Sequence, residues 1–335
     1  MTVPYQLCEA TVGTHPAACQ LLPRFDTAAL LTDLGRLDRH QWALQQTFET
    51  DGPAERAEFD WRALPLRSPT GSPARTDPGG PGLDAFADTP WRAEAPYLSA
   101  ILDLVPAPLR AVRLLALGPG AASTVHFDTK MGFPWGCLRL HVPLVTNPGA
   151  VLTVDGEAHV WQPGTFWFGD FCRMHQVVNT GARKRVHMVV DTTLTAAVLD
   201  LFPESFREAL DPEAVLVNRP ERPLTDPARY HCAFDLPLSF SDFEEVEGQF
   251  LLPQPTLPAR VDTVDGRLVL FLSGEPRFGL VHLGDGEFRF TGWTDERTVQ
   301  IRVDGGQPAV LLRTRHGRRE QRLDVPAAVP GRQRA

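Results

Sequence analysis

The sequence predicts a mainly β protein with flanking helices, in which an antiparallel barrel or jelly roll is followed by a smaller β domain. Short β-type runs separated by turn signals extend from Val112 to Thr193, a pattern typical of closed antiparallel folds. A similar pattern returns from Val246 to Val325, where Asp-Gly pairs again mark tight turns. The 335 residues are enough for one large domain with an appendage or for two ordinary domains.

We expect four regions along the chain. They are an N-terminal helical region with a loop or lid at 1–110, a β core at 111–195, a mixed or helical connection at 196–245 and a small C-terminal β domain at 246–335. The last region has no cluster of His, Cys or carboxylate residues at metal-ligand spacing. We therefore expect it to be a packing or oligomerisation module, which would allow a homodimer.

The N-terminal region is predicted to contain two helices. The first spans 26–49, with Asp26 at its N-cap. Its apolar face comprises Ala29, Leu30, Leu31, Leu34, Leu37 and Trp42. A shorter helix is expected across 94–104, where two prolines follow. Between them, residues 68–88 are rich in Pro, Gly, Ser and Asp and are expected to form a loop or a mobile lid.

The β core is predicted to contain eight short strands. Asp155-Gly156 marks the clearest hairpin, because this pair suits the positive φ angles of a type I′ turn. The predicted strands are 112–117, 123–128, 137–145, 150–155, 157–161, 165–169, 174–179 and 184–192.

The composition excludes several classes of protein. A net charge of −8 disfavours a nucleic-acid partner, since such proteins usually carry a basic face. The sequence contains no run of about 18 apolar residues that could cross a bilayer, so we expect no membrane association. The first residues lack a basic segment followed by an apolar one, so we expect a cytoplasmic protein without a secretion signal.

His126, Asp128 and His175 are the central candidates for chemistry. Residues 126 and 128 of one strand would point to the same face, so an imidazole and a carboxylate can reach one ion. A second histidine from a distant strand completes a set of two histidines and one carboxylate. Such a set can hold one face of an octahedral Fe(II). The same ligands could also form a tetrahedral zinc site.

Arg185 lies ten residues after His175, where the next strand would bring it beside the metal. A guanidinium can hold the distal carboxylate of 2-oxoglutarate in a bidentate, charge-assisted pair. Arg183 shares the same strand face and is the alternative anchor, although a charge at the end of a strand is commonly an ordinary surface residue.

An ordered set of motifs between Leu114 and Thr192 resembles the aspartyl/asparaginyl β-hydroxylase family, which includes the bacterial proline cis-hydroxylases. The matching segments are Leu117-Gly-Pro-Gly120, His126-Phe-Asp128, Arg139-Leu-His141-Val-Pro143-Leu, Trp161-Gln-Pro-Gly164-Thr-Phe-Trp-Phe-Gly-Asp170, His175-Gln-Val-Val-Asn179 and Arg185-Val-His-Met-Val-Val-Asp191. The confident part of this resemblance covers about a third of the chain.

The resemblance implies a double-stranded β-helix of the cupin-like kind, and an enzyme that uses Fe(II), 2-oxoglutarate and O2. It implies iron ligation by His126, Asp128 and His175, and 2-oxoglutarate bound by Arg185. His141 is then expected to contact the co-substrate carboxylate, with a packed core histidine as the alternative. Arg139 would lie on the substrate side of the pocket, unless it is an ordinary strand charge.

The predicted reaction is hydroxylation of a carbon in a free amino acid or small derivative. A residue within a peptide natural-product precursor is the alternative substrate, since the extra C-terminal domain could supply an extended surface. Desaturation or cyclisation at the same iron site stays open. Two further alternatives are a zinc site at Cys172 and His175, and a cupin-like binding protein without catalysis.

Overall fold

The computed structural model describes residues 15–49, 52–244 and 247–330. Its strands are β1 Ala18–Arg24, β2 Ala43–Leu44, β3 Gln46–Glu49, β4 Gly52–Arg56, β5 Trp61–Pro69, β6 Phe86–Asp88, β7 Leu109–Leu117, β8 Cys137–Val145, β9 Ala150–Val154, β10 Glu157–His159, β11 Thr165–Gly169, β12 His175–Asn179, β13 Arg185–Thr193, β14 Cys232–Pro237, β15 Thr256–Val264, β16 Arg267–Leu272, β17 Glu275–Gly284, β18 Glu287–Phe290, β19 Arg297–Asp304, β20 Gln307–His316 and β21 Arg319–Ala328. The α-helices are α1 Thr27–Leu37, α2 Pro90–Ala93, α3 Pro96–Asp103 and α4 Glu204–Ala209.

Two sheets form a jelly roll in the first part of the chain. The larger sheet has the order β1-β11-β8-β13-β7-β5-β2, with β6 added beside β5. The smaller sheet has the order β10-β9-β12. The strand pairings are antiparallel throughout both sheets. The predicted fold class, mainly β with a double-stranded β-helix, is confirmed.

Alternation along the central strands separates the core from the site. On β7, β8 and β13, one set of alternate side chains joins the main hydrophobic core with helices α1 and α3. This set includes Leu114, Leu140 and Met188, each fully buried. The opposite faces of the same strands line a cavity. The central sheet is therefore buried on both sides, and its second face is available for polar functional groups.

Helix α1 begins where the sequence predicts and ends earlier. The carboxylate of Asp26 accepts hydrogen bonds from the amides of residues 28 and 29, which confirms the N-cap. The helix stops at Leu37 rather than continuing to residue 49, because residues 43–49 pair as strands β2 and β3. Trp42 is buried outside the helix, and Leu31 is 50% exposed. Helix α3 confirms the second prediction at 94–104.

The predicted strand at 123–128 is wrong as a continuous element. Residues 121–129 make isolated antiparallel contacts instead, between Ala122 and Val178 and between His126 and His175. The seven other strands predicted between 112 and 192 are present within two or three residues of their expected ends. The difference matters at the site, because this irregular segment carries both His126 and Asp128. Its bridge to His175 places it beside strand β12.

The segment between β5 and β6 is a packed loop. Asp77 is fully buried and accepts two hydrogen bonds from Arg75. The amide of Gly82 donates to the carbonyl of Thr291, and Gly82 in turn accepts from the amide of Gly279. The loop is therefore attached to the C-terminal domain by backbone hydrogen bonds.

Eight antiparallel strands, β14 to β21, close into a C-terminal barrel. The barrel begins earlier than the expected boundary at residue 246, because β14 lies at 232–237 and pairs with both β15 and β21. The structure does not describe residues 1–14, 50–51, 245–246 and 331–335. The start of the expected N-terminal region, the expected boundary at 245–246 and the end of the expected C-terminal domain therefore lie outside the described residues. The barrel interior is filled by phenylalanines, which include Phe234, Phe278, Phe288 and Phe290.

The barrel docks onto the jelly roll through specific polar contacts. The Lys130 ammonium lies 2.8 Å from the Glu296 carboxylate, and both side chains are buried. The Thr294 hydroxyl donates to the carbonyl of Trp135 at 2.7 Å. Among the described residues, no helix is long and apolar enough to span a membrane.

Candidate active site

Two histidines face each other across a short antiparallel bridge. His126 and His175 exchange backbone hydrogen bonds of 3.0 and 2.7 Å, and their ring centroids are 4.2 Å apart. The Nδ1 atom of each ring lies 2.9 Å from a backbone carbonyl oxygen, that of Thr124 or Arg173. Only a protonated Nδ1 can make this contact, so the Nε2 lone pair of each ring is free to bind a metal.

Asp128 completes the metal triad, the name used below for His126, Asp128 and His175. The ligand atoms of the three side chains lie within 4.8 Å of one another. The Asp128 amide donates to the carbonyl of Phe171 at 2.8 Å, which ties the irregular segment to the loop before β12. Two neutral imidazole nitrogens and one carboxylate suit a divalent metal, and the residues therefore fit the implied ion.

Arg139 links the metal triad to a second buried carboxylate. Its Nη1 contacts Asp128, while Nε and Nη2 donate to Asp191 at 2.6 and 2.9 Å. Arg113 approaches Asp191 from the other side at 3.2 Å. Desolvation alone would raise the pKa of Asp128, but the positive charge of Arg139 and the smaller electrostatic effects of His175, His126 and Arg113 together hold the pKa below its usual value. Asp128 is therefore an ionised carboxylate that an arginine keeps in place.

Arg185 is buried in the same cavity, and no acidic side chain of the described chain pairs with it. It is 4% exposed, and its Nη2 donates to Nδ1 of His187 at 2.9 Å. Burial lowers the pKa of Arg185 to about 9. Arg183, the alternative anchor, is exposed and does not line the cavity. Its carbonyl instead accepts hydrogen bonds from Asn147 and Asn179.

His141 lies between Arg185 and the metal triad. Its Nδ1 is 3.3 Å from Nδ1 of His187, and its buried Nε2 has no hydrogen-bond partner among the described residues. Burial, assisted by the charge of Arg185, lowers the pKa of His141 well below its usual value, so the ring is neutral. A buried imidazole nitrogen without a partner, on the cavity wall, can bind a polar group of a ligand.

A cavity of about 380 Å³ connects these groups and is lined by three parts of the chain. The jelly roll supplies the metal triad, Arg139, His141 and Arg185, and strand β3 with the packed loop supplies Phe48 and residues 78–81. The barrel side contributes Phe243, Glu244, Phe278 and Trp293.

Sequence reasoning missed several of the cavity groups. Asp191 and His187 follow Arg185 at alternate positions of β13, so strand periodicity could have placed them on the same face. No sequence signal indicated the contribution of the barrel, because its residues meet the site only through domain docking. Cys172 and His175 form no zinc cluster with other residues in the described ranges.

The fold and the site together define a jelly-roll protein whose cavity holds a His-Asp-His group suited to a divalent metal. The family model described as aspartyl/asparaginyl β-hydroxylase matches residues 15–194, which is more than half of the chain. The protein belongs to this family.

Solved structures with a similar arrangement share little sequence with this chain. An oxidoreductase of the 2OG-Fe(II) oxygenase family from Burkholderia pseudomallei is 13% identical, with a TM-score of 0.37 over 57% of this chain and 88% of that one. A prolyl hydroxylase from Trichoplax adhaerens, in complex with a hypoxia inducible factor peptide fragment, is 13% identical, with a TM-score of 0.34 over 62% and 91%. No curated protein matches this chain significantly.

Proposed function

We propose that the protein hydroxylates a carbon of a free amino acid or small amino-acid derivative, with Fe(II), 2-oxoglutarate and O2. The observation that carries this proposal is the buried guanidinium of Arg185, which has no acidic partner in the described chain and shares a cavity with the metal triad. A buried charge without a counter-ion is costly unless a ligand supplies one. A dicarboxylate bound beside the metal supplies it.

Each residue of the site then has a distinct role. Iron bound with 2-oxoglutarate supplies the oxidising chemistry that inserts one oxygen atom of O2 into a C–H bond. The two histidines offer Nε2, and Asp128 offers a carboxylate oxygen while Arg139 holds it by its Nη1 group. Arg185 binds the distal carboxylate of the co-substrate, and His187 orients the guanidinium.

His141 and Arg139 keep their proposed places around the co-substrate and substrate. In the tautomer with Nε2 protonated, His141 offers a donor without a partner on the cavity wall, which supports contact with a co-substrate carboxylate. Arg139 uses its donors on Asp128 and Asp191. Arg139 acts mainly by holding the Asp128 carboxylate in position. To contact the substrate directly, it would have to share one of the N–H groups that it donates to Asp128 or Asp191.

The walls of the cavity favour a small substrate over a peptide. The packed loop and the barrel cover the side of the cavity that faces away from the sheet. An extended peptide would have to pass between the packed loop and the barrel, which backbone hydrogen bonds such as Gly82–Thr291 hold together. A free amino acid fits inside without such a rearrangement.

The test uses the full-length protein loaded with Fe(II) and 2-oxoglutarate under anaerobic conditions and then exposed to air. Succinate release measures co-substrate turnover, and mass spectrometry detects a gain of one oxygen in each member of a free amino-acid panel. Truncation near residue 242 is unsuitable, because it would leave β14 without the other barrel strands. Succinate release with no oxidised amino acid, together with oxidation of a peptide, would favour the peptide alternative.

A further inference from the structure

A second buried guanidinium lines the cavity at the start of β7. Two residues of this strand, 110 and 111, stand opposite the single residue Asp191, because the register shifts between the pairs Val190–Val112 and Thr192–Leu109. Such a bulge reverses the alternation of side chains along the strand. Arg110 therefore faces the cavity together with Arg113, three residues later, instead of the hydrophobic core.

Arg110 has few partners for a buried charge. It is 6% exposed, and its Nη1 donates to the Cys137 sulfur at 3.2 Å, a weak acceptor. Its buried Nε has no hydrogen-bond partner, and no carboxylate of the described chain lies within ion-pair distance. The guanidinium is 5.2 Å from the ring centre of Trp293, in the barrel, and 5.7 Å from that of Phe86. These rings hold the guanidinium without neutralising it.

The position of Arg110 separates it from the co-substrate anchor. Arg185 pairs with Leu117 at one end of the β7–β13 ladder, and Leu109 pairs with Thr192 at the other. Seven residues of strand correspond to roughly 23 Å. This length separates backbone positions, and the two side chains start from opposite ends of the ladder, so we assign an anion at Arg110 to a molecule other than the 2-oxoglutarate held by Arg185.

The surrounding charges also leave room for an anion. Arg113 and Arg139 share Asp191, and Arg139 also contacts Asp128. Among the described residues, Arg113 and Arg139 thus have carboxylate partners at this end of the cavity, and Arg110 has none.

Building on the proposed function, we propose that Arg110 binds the carboxylate of the substrate. The substrate class is then an amino acid with a free carboxylate, whose apolar part packs on the barrel aromatics Phe278 and Trp293. Glu49 and Glu244 also line the cavity and can accept the ammonium of such a zwitterion. The C-terminal barrel is in this way a wall of the substrate pocket rather than a separate module.

The test compares each free L-amino acid with its α-amide, which lacks the negative charge. Binding is measured by thermal-shift titration with 2-oxoglutarate at saturation, so that Arg185 is already occupied, and hydroxylation is followed in parallel by mass spectrometry. The variants are Arg110→Gln, which removes the charge, and Arg110→Lys, which keeps it. Arg302→Gln is the matched control, because Arg302 is 53% exposed on the barrel, 3.6 Å from Asp324.

We expect the wild-type protein to bind the preferred acid about a hundredfold more tightly than its amide, which corresponds to about 2.7 kcal/mol. Arg110→Gln should reduce this ratio below about fivefold, Arg110→Lys should give an intermediate ratio, and the control should match wild type. A ratio that survives in Arg110→Gln, or a wild-type protein that binds no acid better than its amide, overturns the assignment of Arg110. Acid-selective binding that depends on Arg110 without any hydroxylation would instead refute the proposed function alone.

Discussion

Replacement of Arg185 by methionine is expected to weaken co-substrate binding and to stabilise the ligand-free protein. Loss of the charge-assisted pair should raise the 2-oxoglutarate requirement at least a hundredfold, since hydrogen bonds between charged groups contribute about 3 kcal/mol. The stability effect has the opposite sign because burial of this guanidinium lowers its pKa to about 9, well below the ordinary value for arginine.

The sign follows from proton linkage. A cation with a lowered folded-state pKa destabilises the folded protein fully below pH 9, and the penalty fades as pH rises towards 12.5. At pH 7 the penalty is on the order of several kcal/mol, and relaxation around the site will reduce it. Methionine has a similar length and no charge, so we expect about 2 kcal/mol of stabilisation and a melting temperature about 5 °C higher.

Arg183→Met is the matched control, because Arg183 is exposed on the same chain segment. It should change neither the 2-oxoglutarate titration nor the melting temperature. Differential scanning fluorimetry without ligand and succinate assays across 2-oxoglutarate concentrations provide both measurements. An unchanged titration curve for Arg185→Met, with a shifted curve for Arg183→Met, would transfer the anchor to Arg183. A lower melting temperature for Arg185→Met would refute the account of an unpaired buried charge.

Three further outcomes are expected. Each single alanine substitution in the metal triad should abolish stoichiometric Fe(II) binding and succinate formation while circular dichroism stays unchanged; iron retained in all three variants would contradict the site. Lys130→Met should cost about 3 kcal/mol in chemical denaturation, because it removes the nearer cation from the buried Glu296 carboxylate and leaves Arg297, 3.6 Å away, and the double variant with Glu296→Met should recover part of that loss. Glu287→Gln should cost about 2 kcal/mol at pH 7, because burial alone would raise the pKa of Glu287, whereas hydrogen bonds from Arg219, Thr298 and Arg315 and the charge of Arg315 together hold it below 4.5. Its difference from wild type should therefore shrink only as the pH falls below 4.5, and a difference independent of pH would contradict the ion pair.

The strand pattern of the jelly roll was readable from the sequence because turn residues interrupt short β runs at regular intervals. Strands β8 and β11 occupy the predicted residues, and β13 differs by one residue at each end. The predicted length of helix α1 was too great, because residues 43–49 have a helix-compatible composition but form strands β2 and β3, which pair with β5 and β4. Local propensity does not predict such pairing, because the stabilising contacts are made with residues outside the segment.

The candidate site shows the same division. His126, Asp128 and His175 could be recognised from residue type and spacing, and the structure brings their ligand atoms together. The regular strand predicted at 123–128 to hold His126 and Asp128 on one face is wrong. An irregular segment held by backbone hydrogen bonds carries these two residues instead. The residue types were therefore more informative than the predicted element.

By itself, the sequence determined the fold class and indicated the metal triad and Arg185 as candidates, because turn signals, residue types and the ordered family motifs can all be read along the chain. Tertiary structure decided which charges lack partners. It paired Arg139 with Asp128 and Asp191, left Arg110 facing the cavity through a bulge, and brought Trp293 beside it from the barrel. The physical reason is that the free energy of a charged side chain depends on its counter-ions and its solvent exposure. Strands and domains that are far apart in the chain set both.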